Sequence, residues 1–367
     1  MSTADAISPD SDRPWGDAGA WPVAPGVHRI PLPLPNDGLR AVNVYALETV
    51  EPDGARSLTL VDGGWAIEEA DAALRSALAT IGAGVEDVRR FLVTHVHRDH
   101  YTQAVALRRT TGAEVVLGRG EQTSLALAGD PEGGVRAVMA AHLADAGSVE
   151  DARRLRAAPS EADHDIWEAP DTWLDGDVRL QVGERAVDAV HTPGHTKGHY
   201  VFADAAAGLL LAGDHVLPTI TPSIGFEPDT QLGALADFLG SLAKVRALPD
   251  LRLLPAHGPV TASAHARVDE LLEHHEQRLS LSRAPLEAAG TEGLTARDVA
   301  AHLPWTRRAH AFASLDPFNG ALAVMETRAH LEVLVARGEA SVRRAPAPAT
   351  GPGTDRVTGE PARYTLA

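Results

Sequence analysis

Arg90-Phe91-Leu92-Val93-Thr94-His95-Val96-His97-Arg98-Asp99-His100 is the stretch that decides the reading of this chain. Its first four residues read as a compact strand, which runs directly into four ligand-type side chains. Residues two apart in an extended chain share a face, so His95 and His97 can address one ion from the strand end. Asp99 and His100 fall past the turn, at the start of a helix expected to reach about Arg109, and can address a second position.

Three later segments repeat the theme. In His191-Thr192-Pro193-Gly194-His195-Thr196 the Pro-Gly pair forces a turn that puts His195 on a loop tip. Leu211-Ala212-Gly213-Asp214-His215 reads as a strand ending in a carboxylate. Leu253-Leu254-Pro255-Ala256-His257-Gly258 reads as a strand ending in an imidazole. A lone His or Asp at a strand end is usually a solvated turn residue. Seven of them after four strands, with Gly beside three, are not independent, and they add up to the donors two metal ions need.

Composition narrows the chemistry. The 367 residues include no Cys, which excludes disulfides, thiolate zinc sites, cysteine-held iron–sulfur clusters and a cysteine nucleophile. With 17 His available, a metal site must be built from imidazole and carboxylate. The 33 Lys+Arg against 50 Asp+Glu give a net charge of −17, which disfavours nucleic acid and acidic lipid as partners. No window approaches the roughly 18–20 apolar residues of a membrane span, so no membrane partner is expected. The acidic, Pro-rich start has neither a basic n-region nor an apolar h-region, so a cytoplasmic protein is expected.

Outward from the motifs, residues 1–25 are rich in Asp, Ser, Pro and Gly and are expected to be poorly ordered. Val27 to Leu34 and Ala41 to Leu47 read as strands around an Asn-Asp-Gly turn, and Leu58 to Val61 as a third strand ending at Asp62. Residues 119–170 have helical periodicity and read as an insertion within a domain spanning 26–289. Strands resume at Val178, Ala186, Tyr200, Leu209 and Leu251, and a long helix follows from about Ala262 to Ala289. Residues 290–367 read as two helices and a two-stranded hairpin, resembling a winged helix. These residues carry nine Arg and eight Asp+Glu, too mixed a set for a nucleic-acid reader. The apolar residues Leu322, Val324, Met325, Leu331, Val333 and Leu334 suggest an interface there, with a homodimer as one form.

Together the four segments resemble the metallo-β-lactamase superfamily, whose H-x-H-x-D-H, T-P-G-H-T, Gly-Asp and His-Gly elements occur in this order. The resemblance covers roughly residues 26–290. The tail, with Asp214-His215 and the His274-His275 helix, is similar to the branch that includes lactamase-β-like protein 2, with glyoxalase II more distant. It implies an α+β fold, a four-layer αββα sandwich with a C-terminal winged-helix-like domain. By resemblance, His95, His97 and His195 hold one metal, Asp99, His100 and His257 a second, and Asp214 bridges. Asp62 is expected to orient a metal-binding His. His215 lies either against substrate or packed behind the ligands.

The implied function is hydrolysis of a small ester, thioester or lactone by a hydroxide bridging two divalent ions, zinc first, with iron or manganese as alternatives. Asp99 would orient that hydroxide through its second oxygen. A metal-dependent nuclease and a mononuclear iron persulfide dioxygenase are the alternatives. The retained His97 and the seven-ligand set favour dinuclear hydrolysis. Tyr101-Thr102-Gln103 stand where many members have two small residues, which bears on the space left for substrate. Specificity is expected to lie in the Pro33–Asn43 loop and the 119–170 insertion.

Overall fold

The computed structural model describes residues 6–50, 54–158, 164–228, 233–306, 309–344 and 360–367. The chain divides into two compact units. One comprises residues 1–129, 165–222 and 240–269; the other comprises 130–164, 223–239 and 270–367.

The first unit is built on two sheets. The larger has seven strands in chain order: β3 (Trp21–Ala24), β4 (Val27–Pro33), β5 (Ala41–Val50), β6 (Arg56–Val61), β7 (Val88–Leu92), β8 (Glu114–Gly118) and β9 (Thr172–Leu174). Pairing is antiparallel as far as β6 and parallel from β6 to β9. The smaller has five: β10 (Val178–Val182), β11 (Arg185–His191), β12 (Tyr200–Asp204), β13 (Leu209–Gly213) and β14 (Arg252–Pro255), antiparallel except for the parallel pair β13–β14.

Strand alternation sends side chains to opposite faces, and here both faces of the large sheet are covered. Tyr45, Val61, Leu92 and Val116 of the large sheet share a buried cluster with Val187, Tyr200, Phe202 and Leu211 of the small one. On the other face, Ile30, Val42, Leu60 and Phe91 pack with Leu74 and Leu78 of α1 (Glu68–Thr80) and Val105 of α2 (Arg98–Thr111). Gly112, at φ 74°, closes α2 in the left-handed conformation favoured after helix ends. A further helix, α3, covers Gln122–Ala128, and α6 (Ala234–Ala247) is tied to the end of β11, where Lys244 donates to the His191 carbonyl. The α+β class and the layered helix–sheet–sheet order follow the expectation.

The start of the chain does not follow it. From Ala6 onward it forms a small pair, β1 (Ile7–Ser8) with β2 (Arg13–Pro14), and then joins the large sheet as β3. Ser8 and Trp15 are buried, and the buried side chains of Asp10 and Arg29 pair at 2.9 Å. The composition reads as loop because ties that anchor this segment, such as Asp10 to Arg29 and Ser8 to Val260, are made to distant residues. Residues 1–5 lie outside the described set.

The second unit is mainly helical. The helices of the expected insertion, α4 (Gly134–Asp145) and α5 (Val149–Ala157), pack on one another, and α4 also meets α9 (Pro317–Ala336). Arg328 of α9 pairs with Asp145 at 3.1 Å, and the Arg297 amide donates to the Ala146 carbonyl. Residues 130–164 thus group with residues 270–367. Helix α7 (Ala264–Ala289) is shared between the units in sequence, with Pro285 inside it. Thr295 and Asp298 form a reciprocal capping box at the start of α8 (Ala296–His302). Asp316 caps α9, where Pro317 takes the first position that has no need of an N–H. Two short strands, β15 (Pro304–Trp305) and β16 (His310–Ala311), separate these helices, and β17 (Ala340–Arg343) pairs with β18 (Arg363–Leu366). The tip of that hairpin, 345–359, is outside the described residues. Val324, Met325, Leu331, Val333 and Leu334, expected to need an interface, are buried within the chain itself. No described helix is long and apolar enough to cross a membrane.

Candidate metal centre

All seven expected ligands belong to the first unit and come from four strand ends. His95 follows β7, His97 sits at the N-cap of α2, and Asp99 and His100 lie in its first turn. His195 is on the β11–β12 loop, Asp214 follows β13, and His257 follows β14. One donor atom from each of His95, His97, His195 and Asp214 lies within 4.8 Å of the others, and the same holds for Asp99, His100 and His257.

In the first group, His97 Nδ1 is 2.9 Å from His95 Nε2 and 3.2 Å from His195 Nε2. Asp214 Oδ2 is 3.6 Å from His195 Nε2. In the second, Asp99 Oδ2 is 3.5 Å from His100 Nε2 and 3.4 Å from His257 Nε2. Asp214 Oδ1 is 3.7 Å from His100 Nε2 and 3.4 Å from His257 Nε2. A tetrahedral ion with bonds of 2.0–2.1 Å separates its ligand atoms by about 3.3–3.4 Å. The observed distances bracket that value, and the two oxygens of Asp214 face different groups.

Hydrogen bonds set the ring orientations. Asp62, held at φ 62° at the end of β6, accepts the Thr94 N–H on Oδ1 at 2.7 Å. Its Oδ2 lies 2.9 Å from His100 Nδ1 and accepts the Thr94 hydroxyl at 3.1 Å. The Thr94 oxygen in turn accepts from His95 Nδ1 at 3.0 Å. His257 Nδ1 donates to the Ala41 carbonyl at 2.7 Å. With Nδ1 of each ring so engaged, it is the Nε2 atoms of His95, His100 and His257 that face the site. Among the described residues, His100 Nε2, His257 Nε2 and Asp214 Oδ1 are buried without any hydrogen-bond partner. Buried polar atoms are almost always satisfied, so three such orphans pointing at one place fit a bound cation.

The electrostatics agree. Burial alone would push the Asp99 carboxyl up, but the imidazoles of His100 and His257 outweigh it and hold it well below the carboxylate range. Burial would push His100 down, yet Asp99, Asp62 and Asp214 raise it to about 10. His257 is likewise raised, against burial, by Asp214 and Asp99. These carboxylates thus attract positive charge strongly, and a metal would displace the protons they hold on the imidazoles. His95 is pushed well below its usual value by burial and by His100 and His97.

His215 is fully buried, its ring 5.9 Å from that of His199, and burial drives its pKa down to about 3. His199, four residues after His195, is fully buried. Its Nε2 accepts the Asp214 N–H at 3.2 Å, and its Nδ1 is 2.9 Å from the Thr192 hydroxyl. Gly213 has φ 50°, and a Cβ there would come within 2.7 Å of His199 Nε2. The Asp214 turn is therefore molded against this ring. The available signal was its position at the mouth of a wholly buried strand, β12.

Glu121 was also missed. It is fully buried, and its Oε1 accepts the Thr196 hydroxyl beside His195. Glycines make that approach close, since a Cβ on Gly118 would lie 1.9 Å from the Gly198 oxygen. The larger residues after His100 are all buried. The Tyr101 hydroxyl donates to the Glu168 carbonyl, and the Thr102 hydroxyl accepts the Ala66 N–H at 2.9 Å.

A family model described as the metallo-beta-lactamase superfamily matches residues 37–257. A beta-lactamase-like protein 2 homolog of Caenorhabditis elegans is 24% identical over 240 residues, 65% of this chain and 63% of that protein. A hydroxyacylglutathione hydrolase of Rhodobacter capsulatus is 30% identical over 155 residues, 40% of this chain and 44% of that one. The chain thus matches less than two thirds of the length of these relatives. Among solved structures, a metallo-beta-lactamase family protein of Thermus thermophilus superposes with a TM-score of 0.71 at 27% identity, covering 94% of this chain and all of that one. A beta-lactamase domain protein of Burkholderia ambifaria also gives 0.71, at 25% identity, covering 98% of this chain and 99% of that one.

Proposed function

The chain belongs to the metallo-beta-lactamase superfamily, and we propose that it is a metal-dependent hydrolase that holds two divalent ions, zinc foremost, and opens the acyl bond of a small ester, thioester or lactone. The observation that carries this reading is Asp214. One of its oxygens faces His195 and the other faces His100 and His257, with the latter oxygen unpartnered. Divalent ions bound there would polarise a substrate oxygen and make a water acidic enough to be a nucleophile at neutral pH.

The chain's own residues do the positioning. His95, His97 and His195 form an imidazole face on one side of Asp214, while the other side adds the ionised Asp99. With Oδ2 of Asp99 turned to His100 and His257, its other oxygen is the acceptor that orients an attacking water. Asp62 and Thr94 lock the rings before substrate arrives, so little reorganisation is needed during reaction. Acyl substrates are favoured by the relative named for hydroxyacylglutathione hydrolysis, and the net charge of −17 argues against polyanionic ones.

The test is metal content of the purified protein with a panel of thioesters, lactones, phosphodiesters and single-stranded RNA. The expected result is two ions per chain and chelator-sensitive acyl hydrolysis. Turnover of phosphodiesters alone, or acyl hydrolysis that survives complete removal of metal, contradicts the proposal.

A further inference from the structure

Arg29 of β4 and Asn43 of β5 are polar residues, and both are fully buried. Each nitrogen of the Arg29 guanidinium is engaged. Nε donates to Asp10 Oδ2 at 2.9 Å, Nη1 to the Trp15 carbonyl and to Asn43 Oδ1 at 3.0 Å, and Nη2 to the Ser11 hydroxyl at 3.4 Å. A guanidinium has only donors, so the atom of Asn43 that faces it must be the oxygen. That fixes the amide and turns Nδ2 the other way. Its two hydrogens go to the carbonyls of Pro255 at 3.0 Å and Gly258 at 2.9 Å. Those two carbonyls bracket His257.

The rest of β5 grips the same four residues. The Asn43 N–H donates to the Ala256 carbonyl at 2.6 Å, the Tyr45 hydroxyl to that of Pro255 at 2.8 Å, and the Ala41 carbonyl accepts His257 Nδ1 at 2.7 Å. Beyond them, the Ser8 hydroxyl accepts the Val260 N–H at 3.1 Å and itself donates to Asp10. A buried ion pair such as Asp10–Arg29 is a poor source of stability, because desolvation offsets most of the attraction. Its placement suggests a different use.

We propose that Asp10, Arg29 and Asn43 form an orientation relay that positions His257, so that the N-terminal segment is part of the active-site scaffold. Asp10 fixes the guanidinium, the guanidinium fixes which way the Asn43 amide faces, and the amide fixes the turn carrying the imidazole. These are positioning residues. The inference rests on the reading of His257 as a metal ligand, but the turn can be observed without metal.

The experiment uses Asn43→Asp in the full chain. The variant is isosteric and keeps a partner for Arg29, but it sets a carboxylate oxygen against two carbonyl oxygens. Hydrogen–deuterium exchange on the metal-free protein should show residues 252–262 exchanging at least about tenfold faster, with β12 unchanged. Titration with zinc should show the second ion bound about 10–100-fold more weakly and the first unaffected, the size expected when a group that orients a ligand is lost. Asn43→Ser, which removes the amide donors without adding charge, is the second variant should Asn43→Asp not fold. Unchanged exchange across 252–262 overturns the relay, whatever the metal content. If the parent protein binds fewer than two ions while the variant still loosens 252–262, the two-ion reading fails and the relay stands.

Discussion

Among the described residues, buried histidines gather into two clusters, one in each unit, and they are built differently. In the first unit, imidazoles face Asp62, Asp99 and Asp214, and His100 Nε2, His257 Nε2 and Asp214 Oδ1 converge without hydrogen-bond partners. In the second, His275 Nδ1 lies 3.1 Å from His330 Nε2, and His330 Nδ1 is 2.8 Å from the Glu326 carbonyl. That chain runs ring to ring and ends on backbone. Burial pushes His275 down to about 2 and His330 to about 4, with no carboxylate raising either. Buried histidine alone therefore does not mark a metal centre. Carboxylates and convergent unpartnered lone pairs do.

Breaking the first cluster should have the larger consequences. Asp214→Ala removes a carboxylate that faces both groups, so both ions should be lost and activity should fall by about a thousandfold or more. Elemental analysis with steady-state kinetics checks this. His257→Ala should leave one ion per chain, because the donors of His95, His97 and His195 remain together. Retention of two ions by both variants would remove the distinction between the groups. Asp62→Asn tolerates the left-handed backbone at that position but loses the charge facing His100, and should weaken metal binding about 10–100-fold in a chelator competition.

The second cluster should respond to acid and not to metal. A neutral buried imidazole contributes stability above its unfolded pKa of about 6.5 and loses it as pH falls toward the depressed folded value. From pH 6.5 to 5 that loss is about 2 kcal/mol for each group. Denaturant unfolding of His275→Leu/His330→Leu should therefore show a flatter pH dependence than the parent over this range, with metal content unchanged. An equally steep dependence in the variant would assign the acid sensitivity to other groups.

How much of this was legible in sequence depends on how far apart the interacting residues are. The seven candidate ligands stand in four short segments, each just past an apolar strand, and periodicity places them without any tertiary information. The strands from Val27 to Val93 and from Val178 to Leu254 were readable for the same reason. The supports were not readable. Asn43 holds Gly258 from 215 positions away. Glu121 holds Thr196 from 75 positions away. Asp10 sits in a stretch whose composition resembles a disordered tail. Local pattern has no access to such pairs. The grouping of residues 130–164 with the C-terminal helices escaped for a related reason. It rests on contacts such as Arg328–Asp145, and the helical pattern gives no direction for them.

The central claim is that Asp214 stands between two metal positions. Anomalous scattering from crystals of the zinc-loaded protein, recorded on both sides of the zinc absorption edge, tests it most directly. Two peaks should flank the Asp214 carboxylate, one among His95, His97 and His195 and the other among Asp99, His100 and His257. A single peak, or a pair that leaves Asp214 outside contact with either, would contradict it.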